Sequence, residues 1–320
     1  MAPNVVLVTG VADQLGGSLA DRLAAEPGIE RVLGVDTRPP SAAVSSRLSA
    51  RVEYVPLDIR DPRIGRVIDS ARVDTVVHAA PRVSAGPLRG VIKERNVIGT
   101  MQLLAACQRS TQVRKLVVKS TAEVYGASAT APAVFTEQDP VAGGRDHEPA
   151  EIEAYVRGFA RRRPDVTTTT VRLAELIGRG VDTALARYFR LPVVPTVLGF
   201  DARVQLLHPQ DAVDVLERAA TSDLPGVFNV GGDGVILLSQ AIRRAGRMPL
   251  PMLRAAIPAA ARLVRGAAPV HFSPDLSRLL NYGRVIDTTR LKTTFGLTPK
   301  WSTADAFDDY VRNSQEEASK

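Results

Sequence analysis

The sequence predicts an α/β fold, a doubly wound parallel sheet with a smaller C-terminal lobe, and three observations carry that prediction. Short β-branched runs without polar alternation recur through the first half of the chain, as expected of strands buried on both faces. Segments of helical periodicity separate them, the pattern of parallel strands joined by crossover helices. The first strand ends in a glycine turn that opens a helix.

Val5-Val6-Leu7-Val8 is the first strand and closes on Thr9-Gly10. Leu15 to Ala25 then has helical spacing, with Leu19 and Leu23 on one face. Arg31 to Val35 reads as a second strand ending at Asp36, Val52 to Pro56 as a third and Thr75 to His78 as a fourth. A helix follows over Asn96 to Gln108, a fifth strand over Lys115 to Val118 and a helix over Ile152 to Arg163. Val166 to Leu173 makes the sixth strand, because its threonine run suits a pleated surface better than a helix. Beyond residue 174 the pattern loosens around Pro192, Pro195 and Pro209. Ala212 to Ala220 reads as a helix and Val227 to Val230 as a strand that returns to the sheet. The expected division is residues 1–174 for the main domain and 175–320 mainly for the smaller lobe, with a segment near 204–230 rejoining the sheet.

Composition narrows the function classes. With 320 residues, 45% of them hydrophobic and 23% charged, the chain is long enough for one large core plus a lobe. The single cysteine, Cys107, excludes an internal disulfide and offers no metal framework, so no metal site is expected and a reducing, cytoplasmic setting is. Its neighbours Leu103, Leu104, Ala105 and Ala106 suggest a buried, inert thiol. No run approaches the roughly 20 apolar residues of a membrane span. Met248 to Val270 comes nearest, but Arg254, Arg262 and Arg265 interrupt it, and it reads as an amphipathic cover over a substrate pocket. The net charge of +7 permits an anionic ligand or nonspecific nucleic-acid contact. The densest basic run, Arg161-Arg162-Arg163, closes a helix, where cations are favoured, so no nucleic-acid partner is expected.

The glycine turn carries the first chemistry. Gly10 at the strand end permits a tight turn, and Gly16 inside the helix permits close packing on the sheet. The helix start, with Asp13, Gln14 and Leu15, then offers free N–H groups to a pyrophosphate. Asp36 closes the second strand, where a carboxylate accepts both hydroxyls of an adenosine ribose and repels a 2′-phosphate. Arg38, two residues on, has the chemistry to bind such a phosphate. NAD is expected over NADP, and a tight turn without ligand is the bland alternative. A turn of this kind at the head of this strand order makes the sheet Rossmann-type.

Further motifs follow in order: Leu57-Asp58-Ile59-Arg60-Asp61, His78-Ala79-Ala80, Asn96-Val97-Ile98-Gly99-Thr100 and Ser120-Thr121-Ala122-Glu123-Val124-Tyr125-Gly126. With Val8-Thr9-Gly10, Gly16 and Val35-Asp36 they make the chain, from Asn4 to about Tyr310, resemble the extended short-chain dehydrogenase/reductase superfamily, in its NAD-dependent epimerase/dehydratase group. The resemblance implies that Asp58 contacts adenine with Ile59 in support, that Ala79 and Ala80 run beneath the cofactor, and that Asn96 steadies the site. It implies hydride transfer between a substrate carbon and nicotinamide, with a tyrosine taking the hydroxyl proton and a lysine four residues later lowering its pKa. Thr121 sits at the family's hydroxyl position, and Glu123 where some sugar dehydratases carry an acid. A homodimer through the helices around Asn96 and Ile152 is also implied. His78 and His208 read as structural residues.

The departures are as informative. No Tyr-x-x-x-Lys occurs in the chain, and the family's tyrosine and lysine positions fall near Arg145 and Pro149. Tyr125 belongs to the structural end of its motif, and Tyr155 lacks a lysine partner. Arg145, Asp146, His147 and Glu148 form a polar cluster that reads either as a relocated relay or as solvated loop charge. Asp13 replaces the family's middle glycine, tolerates a left-handed backbone and adds negative charge beside a pyrophosphate. Glu175 stands where nucleotide-sugar enzymes place an asparagine and would repel substrate phosphates, and Val204 where they keep an arginine. Arg203 beside it is the candidate to compensate, but adjacent strand residues face opposite sides, so a nucleotide-diphosphate sugar is not expected. The expected function is hydride-transfer chemistry, as an oxidoreductase or isomerase, on a small secondary alcohol or sugar-like substrate. The alternative is a non-catalytic dinucleotide-binding sensor or scaffold; nucleic-acid binding has only composition behind it.

Overall fold

The computed structural model describes residues 3–39, 51–80, 89–142, 147–253 and 273–318. Strands β1 (Val5–Thr9), β2 (Arg31–Asp36), β3 (Val52–Pro56), β4 (Thr75–His78), β5 (Lys115–Thr121) and β6 (Thr167–Leu173) alternate with helices α1 (Gln14–Ala25), α2 (Arg63–Ser70), α3 (Arg89–Arg109) and α4 (Glu148–Arg162). The chain continues through β7 (Glu175–Leu176), α5 (Ala184–Arg190), β8 (Val193–Val197), β9 (Arg203–Val204), β10 (Leu206–Leu207), α6 (Pro209–Thr221) and β11 (Gly226–Val230). It ends with β12 (Ile236–Leu237), α7 (Leu238–Arg244), β13 (Met248–Met252), α8 (Pro274–Tyr282), α9 (Thr289–Thr293) and α10 (Thr303–Ala318).

The central sheet is parallel, in the order β11-β6-β5-β4-β1-β2-β3. Strand order reverses between β1 and β4, and in such sheets the ligand crevice lies outside the carboxyl ends at that reversal. Alternate residues of β1 feed two cores. Val6 and Val8 pack with Leu19 and Leu23 of α1 and Leu216 of α6. Val5 and Leu7 pack with Ile64 and Ile68 of α2, Leu103 of α3 and Phe159 of α4. Burial of both faces is why these strands read as unbroken apolar runs. A third cluster, around Tyr188, Phe189, Phe307 and Ile236, is the core of the C-terminal lobe.

Within residues 204–230, β11 is the stretch that joins the central sheet, beside β6. β9 pairs with β12 and β10 with β7 in small separate ladders. The expected amphipathic cover from Met248 starts instead as a strand, β13, paired with β8. Pro249 and Pro251 remove the N–H groups a helix needs there. Its remainder, 254–270, lies outside the described residues.

The basic run divides its labour. Arg161 and Arg162 close α4, whereas the Arg163 guanidinium donates to the carbonyls of Cys107 and Ser110, both at 2.9 Å, capping α3. Cys107 is buried, and burial pushes its thiol up to about 12. Among the described residues no helix is long and apolar enough to cross a membrane, and no group of three or more acidic, histidine or cysteine side chains gathers to hold a metal.

Candidate active site

At the carboxyl ends of β1 and β4 the backbone is drawn in tightly. Gly10 has φ 81°, and a Cβ there would lie 2.7 Å from the Ala80 Cα. A Cβ on Gly16 would lie 2.8 Å from the Gly10 carbonyl carbon, so the helix start is held against the turn. Ala79 and Ala80 are fixed from below. The Ala80 N–H donates to Thr9 Oγ1 at 3.2 Å. His78 bridges Thr9 through Nδ1 and Thr100 through Nε2, both at 2.8 Å, and the Thr100 hydroxyl donates to the Asn96 carbonyl at 2.6 Å. Burial depresses His78 to about 3, so the ring is a neutral bridge from β1 to α3.

Asp13 precedes α1 with φ −87° and ψ 153°, extended backbone that makes no use of the left-handed tolerance expected of it. Its carboxylate lies 3.9 Å from the Arg38 guanidinium, which offsets its charge. Arg38 thus faces Asp13. Gln14 does more than present its N–H: its side-chain amide donates to the Arg179 carbonyl at 2.9 Å, fastening the loop after β7 to the head of α1. Leu15 packs against the first core.

Asp36 is 4% exposed. Its carboxylate accepts from the Ala12, Thr37 and Arg38 N–H groups at 3.2, 2.7 and 3.3 Å. Arg95 of α3 stands 3.6 Å away and donates to the Thr37 hydroxyl, a contact the sequence did not reveal. Asp58 is held by Arg60 at 2.8 Å, and that hydrogen bond keeps its carboxyl below the usual range. Ile59 is buried against Gly99 of α3.

A second cluster lies beyond β5. Thr121 caps a single 3-10 turn, Ala122–Tyr125, its hydroxyl accepting from the Glu123 N–H at 3.3 Å. Beneath it runs a buried network. Ser120 donates to Glu153 at 2.6 Å, Arg172 donates twice to Glu153 at 2.9 and 2.6 Å and once to the Tyr125 hydroxyl at 2.7 Å, and that hydroxyl donates to Asn229 at 2.7 Å. Tyr125 is therefore committed to structure. Among the described residues the Tyr155 hydroxyl makes a long contact to Glu151, 3.4 Å.

Glu123 sits on that turn, where burial and the nearby Glu175 charge push its carboxyl up to about 8. Glu175 pairs with Arg284 at 3.0 Å, and Arg284 also donates to the Gly126 carbonyl at 3.0 Å. Burial raises Glu175 as well. The Arg203 guanidinium instead donates to the Ala133 carbonyl at 3.1 Å, and Val204 is buried, so the cation that meets Glu175 is Arg284. Nothing in the local pattern around Arg284 announced it, since it comes from a loop bridged to Val204.

His147 and Glu148 bound the same cluster at the start of α4. Asn96 donates to Glu148, so α3 is joined to the site. His147 is the residue that caps α4; burial lowers its ring below the ordinary range, and Nδ1 is buried with no hydrogen-bond partner among the described residues. Pro149 lies in the first turn of α4. Arg145 and Asp146, expected in this cluster, lie outside the described residues.

Four likenesses bear on this geometry. The family model described as NAD dependent epimerase/dehydratase matches residues 6–231. An uncharacterized protein of Mycobacterium tuberculosis is 49% identical over 317 residues, 97% of this chain and 84% of that protein. The fold is also that of the UDP-glucose 4-epimerase of Thermotoga maritima, solved with UDP-glucose, at TM-score 0.72 and 19% identity over 98% of this chain and 99% of that one. The dTDP-glucose 4,6-dehydratase DesIV of Streptomyces venezuelae, solved with NAD, superposes at TM-score 0.76 with 19% identity over 98% of each chain.

Proposed function

The chain belongs to the NAD dependent epimerase/dehydratase family, and from that premise we propose that it binds NAD and carries out hydride-transfer chemistry on a secondary alcohol of a sugar-like substrate. The observation that carries this reading is the close approach of Gly10 to Ala80 beside Asp36, a cradle that added side chains would fill. The turn from Gly10 to Gly16 would take the pyrophosphate, Asp36 the ribose hydroxyls, Asp58 and Ile59 the adenine edge, and Ala79-Ala80 the floor. A carboxylate at the ribose favours NAD over NADP. NAD, when bound, supplies a hydride acceptor. Thr121 would hold the substrate hydroxyl, and Glu123 keeps a proton at neutral pH.

Residues 1–174 would hold the cofactor and 175–320 mainly the substrate. A nucleotide-linked sugar fits better than Glu175 alone suggests, because Arg284 cancels that charge. The UDP-glucose bound by the Thermotoga maritima enzyme points to the same class. Calorimetry with NAD tests the cradle, and reduced-cofactor absorbance across sugar nucleotides and other secondary alcohols tests the chemistry. Absence of NAD binding would sink the reading.

The lack of Tyr-x-x-x-Lys favours a second reading, a dinucleotide sensor or scaffold without turnover. It expects NAD binding with Thr121→Ala silent in cells. Either form would be a homodimer through α3 and α4, because Val91, Ile98 and Met101 leave apolar side chains exposed on α3. Sedimentation of Ile98→Glu, expected to be monomeric, checks this.

A further inference from the structure

The family's proton acceptor is missing, and the titratable groups of the cluster on the turn that Thr121 caps are Glu123, Glu175 and His147. Glu175 is committed to Arg284. Glu123 holds its proton to about 8 and is an acid at neutral pH. His147 remains. The groups acting on its ring are Asp275 and Arg278 of α8 and Arg284, while Glu148 follows it on its own helix; burial is the largest influence and keeps the ring neutral. A helix N-terminus pushes the same way. The start of α4 packs on the Ala122–Tyr125 turn, which sets His147 beside the turn bearing Glu123 and capped by Thr121. Nδ1 is buried with no partner among the described residues, and a neutral ring protonated on Nε2 would hold its lone pair on that nitrogen. A buried nitrogen left unmatched is a place that a ligand group or an ordered water can satisfy.

We propose that His147, through Nδ1, is the proton acceptor that replaces the missing tyrosine, with the Glu123 carboxyl as the proton donor beside it. The inference rests on the hydride-transfer reading above. The substrate O–H bond breaks and its proton passes to Nδ1. The electron pair it leaves on oxygen closes the C=O bond as the adjacent C–H leaves as hydride, so the alcohol is oxidised by two electrons and the nicotinamide reduced by two. Glu123 can then protonate a departing or re-forming hydroxyl. The usual order is inverted: a carboxyl that stays protonated above an imidazole that stays bare gives an acid and a base at one pH.

The test uses the full chain with labelled histidine side chains, followed by nitrogen NMR, with NAD and UDP-glucose as probes. His147 is expected as the Nε2–H tautomer, protonating below the ordinary histidine range, with its Nδ1 signal moving when UDP-glucose is added to the NAD-loaded protein. His147→Gln should keep NAD affinity within about twofold and lose about a hundredfold or more in cofactor reduction, together with the acidic limb of the rate profile. An Nδ1 that carries the proton in the neutral ring, or that ignores UDP-glucose, overturns the relay. So does a His147→Gln variant that keeps turnover and the acidic limb. Either result with NAD still bound leaves the cofactor reading standing; loss of NAD binding by the unmodified chain fells both.

Discussion

The two ends of the crevice are built on opposite terms. At the glycine turn the described polar side chains have partners: Asp36 accepts three backbone N–H groups, Asp58 has Arg60, Asp13 has Arg38, and the neutral His78 spends both nitrogens on threonines. Beyond β5 the account is left open. Glu123 is pushed far above its ordinary range, Glu175 is raised despite Arg284, and His147 Nδ1 is bare among the described residues. A satisfied region is preorganised to hold something, while a region of displaced proton affinities is prepared to change something. That contrast argues for chemistry here despite the missing tyrosine.

The largest test removes the support beneath the second cluster. Arg172→Met leaves the buried Glu153 carboxylate with only the more distant Arg157 at 3.5 Å and the Ser120 hydroxyl, and should cost about 3 kcal/mol of stability, read by urea denaturation. A loss below about 1 kcal/mol would mean that the network is not holding β5 and α4 together. Next, Gly10→Ala strains a positive φ and drives a Cβ at Ala80, with an expected cost of about 1–3 kcal/mol and a matching fall in NAD affinity by calorimetry. Near-normal binding would mean the turn is not the pyrophosphate cradle.

Glu123 gives an effect of opposite sign. Between its ordinary 4.5 and about 8 the folded chain keeps a proton that the unfolded chain releases, so this group's contribution to stability falls as pH rises through that window. Glu123→Gln removes the penalty, and its Tm should exceed that of the unmodified chain by a margin that grows from ~pH 5 to ~pH 8 in calorimetric scans. A pH-independent difference would place an ordinary carboxylate there. The smallest effect belongs to the exposed pair: Asp13→Asn should change NAD affinity by less than about fivefold, because Arg38 already offsets the charge. A larger gain would show that Asp13 opposes the pyrophosphate unscreened.

What could be read from residues alone follows the reach of the interactions. The parallel sheet was legible because strands buried on both faces must be apolar throughout, and β1 shows why, feeding alternate residues to two cores. The tight turn was legible because Gly10, Gly16 and Asp36 lie within one strand-turn-helix-strand unit. Arg284 was not: it reaches Glu175 across 109 residues of chain. Arg95 reaches Thr37 across 58. The start of the stretch at Met248 was misjudged because its apolar content suggested a helix, when alternate prolines and pairing with β8 decide for a strand. His147 was visible as part of a polar cluster, but an orphaned nitrogen is a property of packing.

The amide of Gln14 that reaches the Arg179 carbonyl ties the head of α1 to the loop that leaves Glu175. Any molecule that tightens one end is therefore felt at the other, and thermodynamic reciprocity makes the influence equal in both directions. Because a single hydrogen bond of this kind is worth about 0.5–1.5 kcal/mol, this latch limits the mutual enhancement it can transmit to roughly tenfold. A latch of that size would not impose an order in which the two halves are filled.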